Sequence, residues 1–371
     1  MKNKSGFTLI ELLVVIVIIG ILATIITAAV AGAIRSAKQA RIGMEMSTIA
    51  TALEMYKTEF GEYPPDFYDA IALVRHVKKR WPRFELPAGT DVEQARAIRQ
   101  AMSNVYRSYS PASKTRWTGN ANINFNFMTT PNTSIVALGL WLGGFPDDKT
   151  SKFVGFSADP EAPFGRKKSD GSVNIVSNIN DAGTDAGWYD VDLGTPDKKT
   201  FIELEVGKNI VFVGERDGCF PCLAKKESEN LYVPYVYFRG KSGGGSESYV
   251  YTQGGTKGVK CYAFTELRNS NVPATANWGD YGVVIAYAKD GNPFATPSVE
   301  STWVNAETYQ LISPGLDTNF GIRRPQATDQ PYHDGFYRSF NAGANKNTFG
   351  THDLDNITNF SDFKPIKTIM K

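Results

Sequence analysis

Apolar residues fill almost every position from Phe7 to Ile34, and the pattern then turns periodic. Between Ser5 and Ile34 there is no Lys or Arg, and Glu11 is the single charge. A run of about 20 or more apolar residues is long enough to cross a hydrocarbon core as a helix. A helix also satisfies its backbone polar groups internally, as a bilayer requires. Beyond Arg35, the residues Ile42, Met46, Ile49, Leu53, Tyr56 and Phe60 recur at alternating spacings of four and three. That is one apolar stripe on a helix, and Gly61 with Pro64-Pro65 stops it. One helix is therefore expected over 7–60. Its half at about 7–34 would span a membrane, and its half at 35–60 would pack its stripe on a globular body. The alternative for the stripe is coiled-coil pairing, over only about two and a half heptads.

Glu11 does not suit an ordinary anchor. A charge within a span costs on the order of 2.5–3.5 kcal/mol on insertion scales and marks function by default. An ordinary anchor would have to let it snorkel to the headgroups. A secretory signal has an apolar region of only about 7–15 residues, shorter than this run. Lys2 and Lys4 before the span and Arg35, Lys38 and Arg41 after it leave the positive-inside count near balance.

The remaining pattern is mixed. Segments 69–79 and 91–107 read as helices, and Asn132 opens a third over 132–142, closed by Gly143-Gly144. Short apolar runs at 202–206 and 210–213 read as a hairpin around Gly207-Lys208. Strands are expected at 233–238, 259–264 and 281–287, with turns at Gly243-Gly244-Gly245 and Gly254-Gly255. The fold class is α+β: a long N-terminal helix on an antiparallel β-sheet head. A large mixed insertion occupies 66–230, and the C-terminal sheet occupies 231–371.

Charge and chemistry narrow the function. The 371 residues carry a net charge of +2, so nothing demands nucleic acid as a partner. Arg75, Lys78, Lys79, Arg80 and Arg83 surround His76 and Trp81. They could form a docking or glycan-binding patch and are read as a solvated helix face. Asp181, Asp185, Asp190 and Asp192 could bind calcium. Their spacing is not that of an EF-hand, and they are read as a polar loop. Cys219 and Cys222 have redox and zinc spacing, but four zinc ligands are wanting. A disulfide outside the cytoplasm could join Cys219 to Cys222, or one of them to Cys261. Only His76, His333 and His352 are present, and no Gly-x-Ser-x-Gly occurs, so no catalytic group can be named and the chain is read as not an enzyme.

The segment from Ser5 through Gly6, Phe7, Thr8, Leu9, Ile10 and Glu11 to Leu12 resembles the cleavage and methylation motif of type IV prepilins and type II secretion pseudopilins. The resemblance implies that residues 1–6 are a leader, cut between Gly6 and Phe7 by a prepilin peptidase on the cytoplasmic side. It implies methylation of the new Phe7 amine, and a pairing of Glu11 with the N-terminal amine of a neighbouring subunit. It places the chain in the inner membrane as a single-pass protein with its head outside the cytoplasm. From there it would enter a homo-oligomeric filament with other pseudopilins, through an inner-membrane assembly platform. The stretch from Ala37 to Pro64 resembles the major, G-type pseudopilin in particular. Ala28 stands where many members of that family have a proline, so helix melting there is not expected. The C-terminal segments, Ser313 to Asp317 and Asp353 to Phe360, resemble that family's calcium loop. Asp317, Asp353 and Asp355 match its acidic positions, and Asn356 stands where a second Asp often occurs. The functional expectation is a structural subunit of a pseudopilus or type IV pilus. The alternative is a minor pilin or tip adhesin whose enlarged head binds a surface or secreted substrate.

Overall fold

The computed structural model describes residues 8–109, 135–147, 149–167, 171–173, 191–213, 220–228, 231–241, 243–253, 256–263, 283–290, 302–321, 338–341 and 353–370. Helix α1, Leu9–Phe60, runs unbroken through Ala28. Thr8 caps its start, with Glu11 closing a capping box. Gly61, at φ 74°, ends it in the left-handed conformation, and its N–H donates to Lys57 O at 2.7 Å. The apolar stretch from Leu9 to Ile34 is exposed on all sides, and α1 is long and apolar enough to cross a membrane. The following half behaves differently. Ile42, Met46, Ile49, Leu53 and Tyr56 are at most 2% exposed, while Arg41, Glu54 and Glu59 face outward. Phe60 is partly buried and closes the stripe against Tyr56 and Phe201, at ring separations of 4.6 and 5.9 Å.

The stripe packs on a three-stranded antiparallel sheet ordered Ile357–Thr358, Tyr309–Ser313, Val236–Arg239. Tyr309 pairs with Arg239 and Ile312 with Val236, so the long insert between residues 240 and 308 leaves the register intact. A second antiparallel sheet contains Ile210–Val213, Phe220–Ser228 and Leu231–Pro234. The expected hairpin around Gly207 is therefore corrected. Val206 makes only an isolated bridge to Ile210, and the partner of Ile210–Val213 is Phe220–Ser228. The expected strand at 233–238 is divided at Tyr235, whose N–H bonds Leu223 O, as the chain passes from one sheet to the other. That at 281–287 is likewise divided at Ala286, whose N–H bonds Lys260 O. Gln310, fully buried, joins two sheets through its side chain: its Oε1 accepts from Tyr287 N, and its Nε2 donates to Tyr287 O and Val304 O. Tyr287–Asp290 pairs in parallel with Arg338–Asn341.

Among the described residues three further α-helices follow α1. Helix α2, Ala70–Arg80, is capped by Asp69, which accepts from Ala72 N at 3.1 Å. Helix α3, Asp91–Tyr109, starts with a reciprocal Thr90–Glu93 cap. Helix α4, Ala137–Gly143, is buried at every position. The helix expected from Asn132 thus begins later in the described chain, and Asn132 itself lies outside it. At Gly139 a Cβ would lie 2.7 Å from Pro221 O, so only glycine lets α4 rest on that strand. One apolar cluster runs through the α1 stripe, through Leu73, Trp141, Phe156 and Phe164 of the insertion, and through Tyr309 and Ile357 of the C-terminal part. The insertion shares a core with the rest of the head.

Polar groups cross this core in a chain. Arg80 Nη1 donates to Tyr56 Oη at 3.2 Å, Tyr56 Oη lies 2.6 Å from His76 Nε2, and His76 Nδ1 lies 3.0 Å from Glu62. A carboxylate only accepts, so Nδ1 carries the proton and Nε2 accepts from the tyrosine. Burial pushes the His76 pKa down despite Glu62, which keeps the ring neutral, and burial lifts the Tyr56 pKa to about 12. Burial works against ionised Glu62, but hydrogen bonds from His76 and Arg239 overcome it and hold the carboxyl below the usual range.

Candidate functional site

The expected processing residues Gly6 and Phe7 lie outside the described residues, which begin at the Thr8 cap. Glu11 sits on the first turn of α1 and is exposed. Its Oε2 accepts from Thr8 N at 2.8 Å and from Thr8 Oγ1 at 2.7 Å, while Glu11 N donates to Thr8 Oγ1 at 3.3 Å. Among the described residues Oε1 makes no hydrogen bond, so one carboxylate oxygen stays open to a partner. The cap fixes the side chain at the head of a helix whose next 25 residues find no cover in this chain. A helix apolar on every face demands lipid or other helices around it.

The structure brings the two C-terminal segments together. Gly315, at φ 74°, lies so close to Asp355 that a Cβ would be 2.1 Å from Asp355 O. Gly321 does the same at Asp353, where a Cβ would be 2.6 Å from Oδ1. Of the four expected ligands, Asp353 is 2% exposed and Asn356 is fully buried. Asn356 Nδ2 donates to Tyr287 Oη at 2.9 Å and to Phe320 O at 3.1 Å, which orients the amide. Its Oδ1 is buried with no partner. The other two are engaged locally. Asp355 Oδ2 accepts from Leu316 N at 2.8 Å, and Oδ1 lies 3.7 Å from Lys367 Nζ. Asp317 Oδ1 accepts from Asn319 N at 2.9 Å in a tight turn on the exposed side. Among the described residues no three His, Cys, Asp or Glu side chains are grouped as a metal site. The orphaned Asn356 oxygen beside the buried Asp353 is what fits calcium's preference for oxygen donors; Asp317 and Asp355 are occupied in closing the loop.

Other sequence candidates resolve differently. Cys222 is a free, fully buried thiol whose pKa burial pushes up. Cys219 and the side chain of Cys261 lie outside the described residues. Asp181, Asp185 and Asp190 also lie outside them, and Asp192 accepts from Gly194 N in a turn. Of the basic cluster, Arg75, Lys78, Lys79 and Arg83 face solvent, while His76 and Trp81 are core residues. Arg80 stacks over Phe60, Trp81 and Phe156 at 4.2–4.4 Å.

Comparison with known proteins agrees with this geometry. The family model described as the prokaryotic N-terminal methylation motif matches residues 1–27. Type II secretion system core protein G of Aeromonas hydrophila is 38% identical over 73 residues, 20% of this chain and 51% of that protein. The protein of that name from Pseudomonas aeruginosa is 40% identical over 74 residues, 20% of this chain and 52% of its own length. The match to core protein G of Vibrio cholerae extends over 114 residues at 32% identity, 31% of this chain and 76% of that protein. This chain belongs to the core protein G family. It spans about half the length of the first two relatives. No solved structure matches it significantly. As in the family's name, secretion is a property of those relatives. In this member the head is much enlarged, since most of the chain lies beyond every one of these matched stretches.

Proposed function

We propose that this chain is a structural subunit of a type II secretion pseudopilus, processed by a prepilin peptidase and assembled through α1. The observation that carries this reading is a methylation-type N-terminus joined to a helix half that is exposed on every side within its own chain. Peptidase cleavage after Gly6 would leave Phe7 as a methylated N-terminus immediately before the Thr8 cap. The helix would rest in the inner membrane with the head outside the cytoplasm. On assembly, α1 halves of successive copies would replace lipid around one another. The open Oε1 of Glu11 would then take the amine of a neighbour, and the assembly platform and other pseudopilins would be partners. No residue is assigned a catalytic role. The adhesin reading calls for an exposed aromatic patch. The large exposed hydrophobics of the described head, Met44, Met55, Ile71, Val92 and Ile369, include no aromatic residue. Intact mass and the N-terminal peptide of the protein purified from its native membrane test the main reading. The expected start is methylated Phe7; a Met1 start in cells that process other prepilins sinks it.

Calcium is part of the proposal. Asp353 and Asn356 Oδ1 would hold the ion, which would supply charge to satisfy the orphaned oxygen and clip the long loop. The expected result is a higher Tm for the full chain in detergent with calcium than with a chelator, and a larger calcium gain for Asn356→Asp. That variant gives up the amide bonds to Tyr287 and Phe320, so its chelated form should unfold earlier than the parent. Identical melting with calcium and with chelator would remove calcium from the account.

A further inference from the structure

Lys260 and Asp66 meet inside the head, 194 positions apart, with Nζ 2.6 Å from Oδ2. Both side chains are at most 3% exposed. Asp66 lies in the turn after α1, and Lys260 lies between the strands Thr256–Val259 and Cys261–Ala263. The groups around the contact fix it. Arg239 O accepts a second hydrogen bond from Nζ at 2.6 Å. Both oxygens of the carboxyl accept main-chain N–H groups, Oδ2 from Arg239 at 2.8 Å and Oδ1 from Tyr68 at 3.2 Å. The rings of Tyr68 and Tyr249 stand 5.5 and 6.0 Å from Nζ.

As ions the two groups are costly, since each charge has left water. Burial pushes the Lys260 pKa down, toward the free amine, and Asp66 opposes that shift. Of the other charges in the cleft wall beside the pair, Lys241 favours the amine and Asp69 the ammonium. A nitrogen in contact with a carboxyl oxygen is also beside the carboxyl carbon. The pair is thus an amine held against an electrophile whose oxygens are already hydrogen-bonded.

We propose that Lys260 and Asp66 join in an intramolecular isopeptide bond. A proton passes from Nζ to the carboxylate, giving amine and carboxylic acid. Nζ attacks Cγ, the C–N bond forms, and the N–H groups of Arg239 and Tyr68 hold the charge that develops on oxygen. A second proton leaves the nitrogen, the Cγ–Oδ1 bond breaks, and Oδ1 departs as water. Oδ2 stays as the amide oxygen on the buried Arg239 N–H. One oxygen and two protons leave, nothing is oxidised or reduced, and no co-reactant is needed. A cleft of about 200 Å³, lined by both residues, receives the water. Condensation runs uphill in dilute solution, but well-held groups reach effective molarities of about 10⁵–10⁸ M. The neutral product also relieves two buried charges. Every reacting group belongs to one head, so the bond does not depend on filament assembly. The ion pair is its reactant: newly folded chains are held by the pair and matured chains by the amide.

Mass spectrometry of the full chain purified from its native membrane tests this. The matured wild-type chain should weigh one water less than its covalent sequence requires. Its digest should contain a branched peptide joining the segments around Asp66 and Lys260. Lys260→Arg keeps the charge, but its guanidinium is no nucleophile, so it should show the full mass and no branched peptide. In denaturing gels the wild type should run ahead of that variant, because a closed loop of 194 positions compacts the unfolded chain. The wild-type mass and peptide decide the matter by themselves, whether or not the variant folds well. A wild-type chain that keeps its full mass after prolonged incubation overturns the proposal. So does a water loss that maps to a succinimide within a single peptide.

Discussion

Asp66→Ala is expected to destabilise the head by about 3–5 kcal/mol, because it strands a buried ammonium. The Lys260 side chain is 2% exposed and that of Asp66 3%, and Nζ lies 2.6 Å from Oδ2. Nζ also donates to Arg239 O at 2.6 Å. Burial pushes the Lys260 pKa down, and Asp66 opposes that shift. The same carboxylate holds Arg239 N at 2.8 Å and Tyr68 N at 3.2 Å, so it also fixes the edge of the central sheet to the turn after α1. Removing it leaves Lys260 with one carbonyl and leaves two main-chain donors unmet. A loss of that size is a large part of the roughly 5–15 kcal/mol that folds a domain. The coupling has its own test. Replacing both members, Asp66→Ala with Lys260→Met, should recover much of the loss, since exchanging a buried pair for apolar groups is often near neutral. Urea unfolding of the full chain, followed by tryptophan fluorescence, measures all three variants. If the double variant is no more stable than Asp66→Ala alone, the ammonium is not the group left stranded.

That ion pair had no sign in the sequence. Its members are 194 positions apart, and a lysine after a valine looks no different on a strand edge from one in the core. Local signals fared better, because their physics is local. The stripe from Ile42 to Tyr56, the stop at Gly61 and the helices at 69–79 and 91–107 all follow from spacing or from stop signals within the segment. Strand extents were legible only as apolar runs. Breaks at Tyr235 and Ala286 are set by carbonyls of remote segments, at Leu223 and Lys260, which no periodicity encodes. The apparent hairpin around Gly207 failed for the same reason, since Phe220–Ser228 competes for the strand and wins. At the C-terminal loop, sequence named Asp353 and Asn356 without showing that both are buried. It could not show that the Asn356 oxygen is buried while the carboxylates of Asp317 and Asp355 accept from nearby N–H groups.

Glu11→Gln is expected to stop filament assembly while leaving membrane insertion and the helix cap intact. The two roles of Glu11 separate in this substitution. Capping needs an acceptor at the third helical position, and glutamine supplies one as glutamate does. The Thr8 bonds at 2.7–2.8 Å can therefore persist on the amide oxygen. What disappears is the charge, and with it the reason to meet an amine. An uncompensated carboxylate within a span is costly, on the order of 2.5–3.5 kcal/mol, so pairing it gives assembly a driving force of about that size. Losing about 2.8 kcal/mol is a hundredfold in an equilibrium constant. A filament repeats the contact at every subunit, which multiplies the effect along its length. Glu11→Leu should fail equally in assembly but also lose the cap, worth about 1 kcal/mol at the helix start. Comparing the two variants in the membrane fraction and in the sheared-filament fraction separates charge from cap. The membrane pool should be unchanged in both and the filament pool lost in both. Normal filaments from Glu11→Gln would mean that the open Oε1 has no cationic partner, and subunit register would then have to come from the apolar faces of α1 alone.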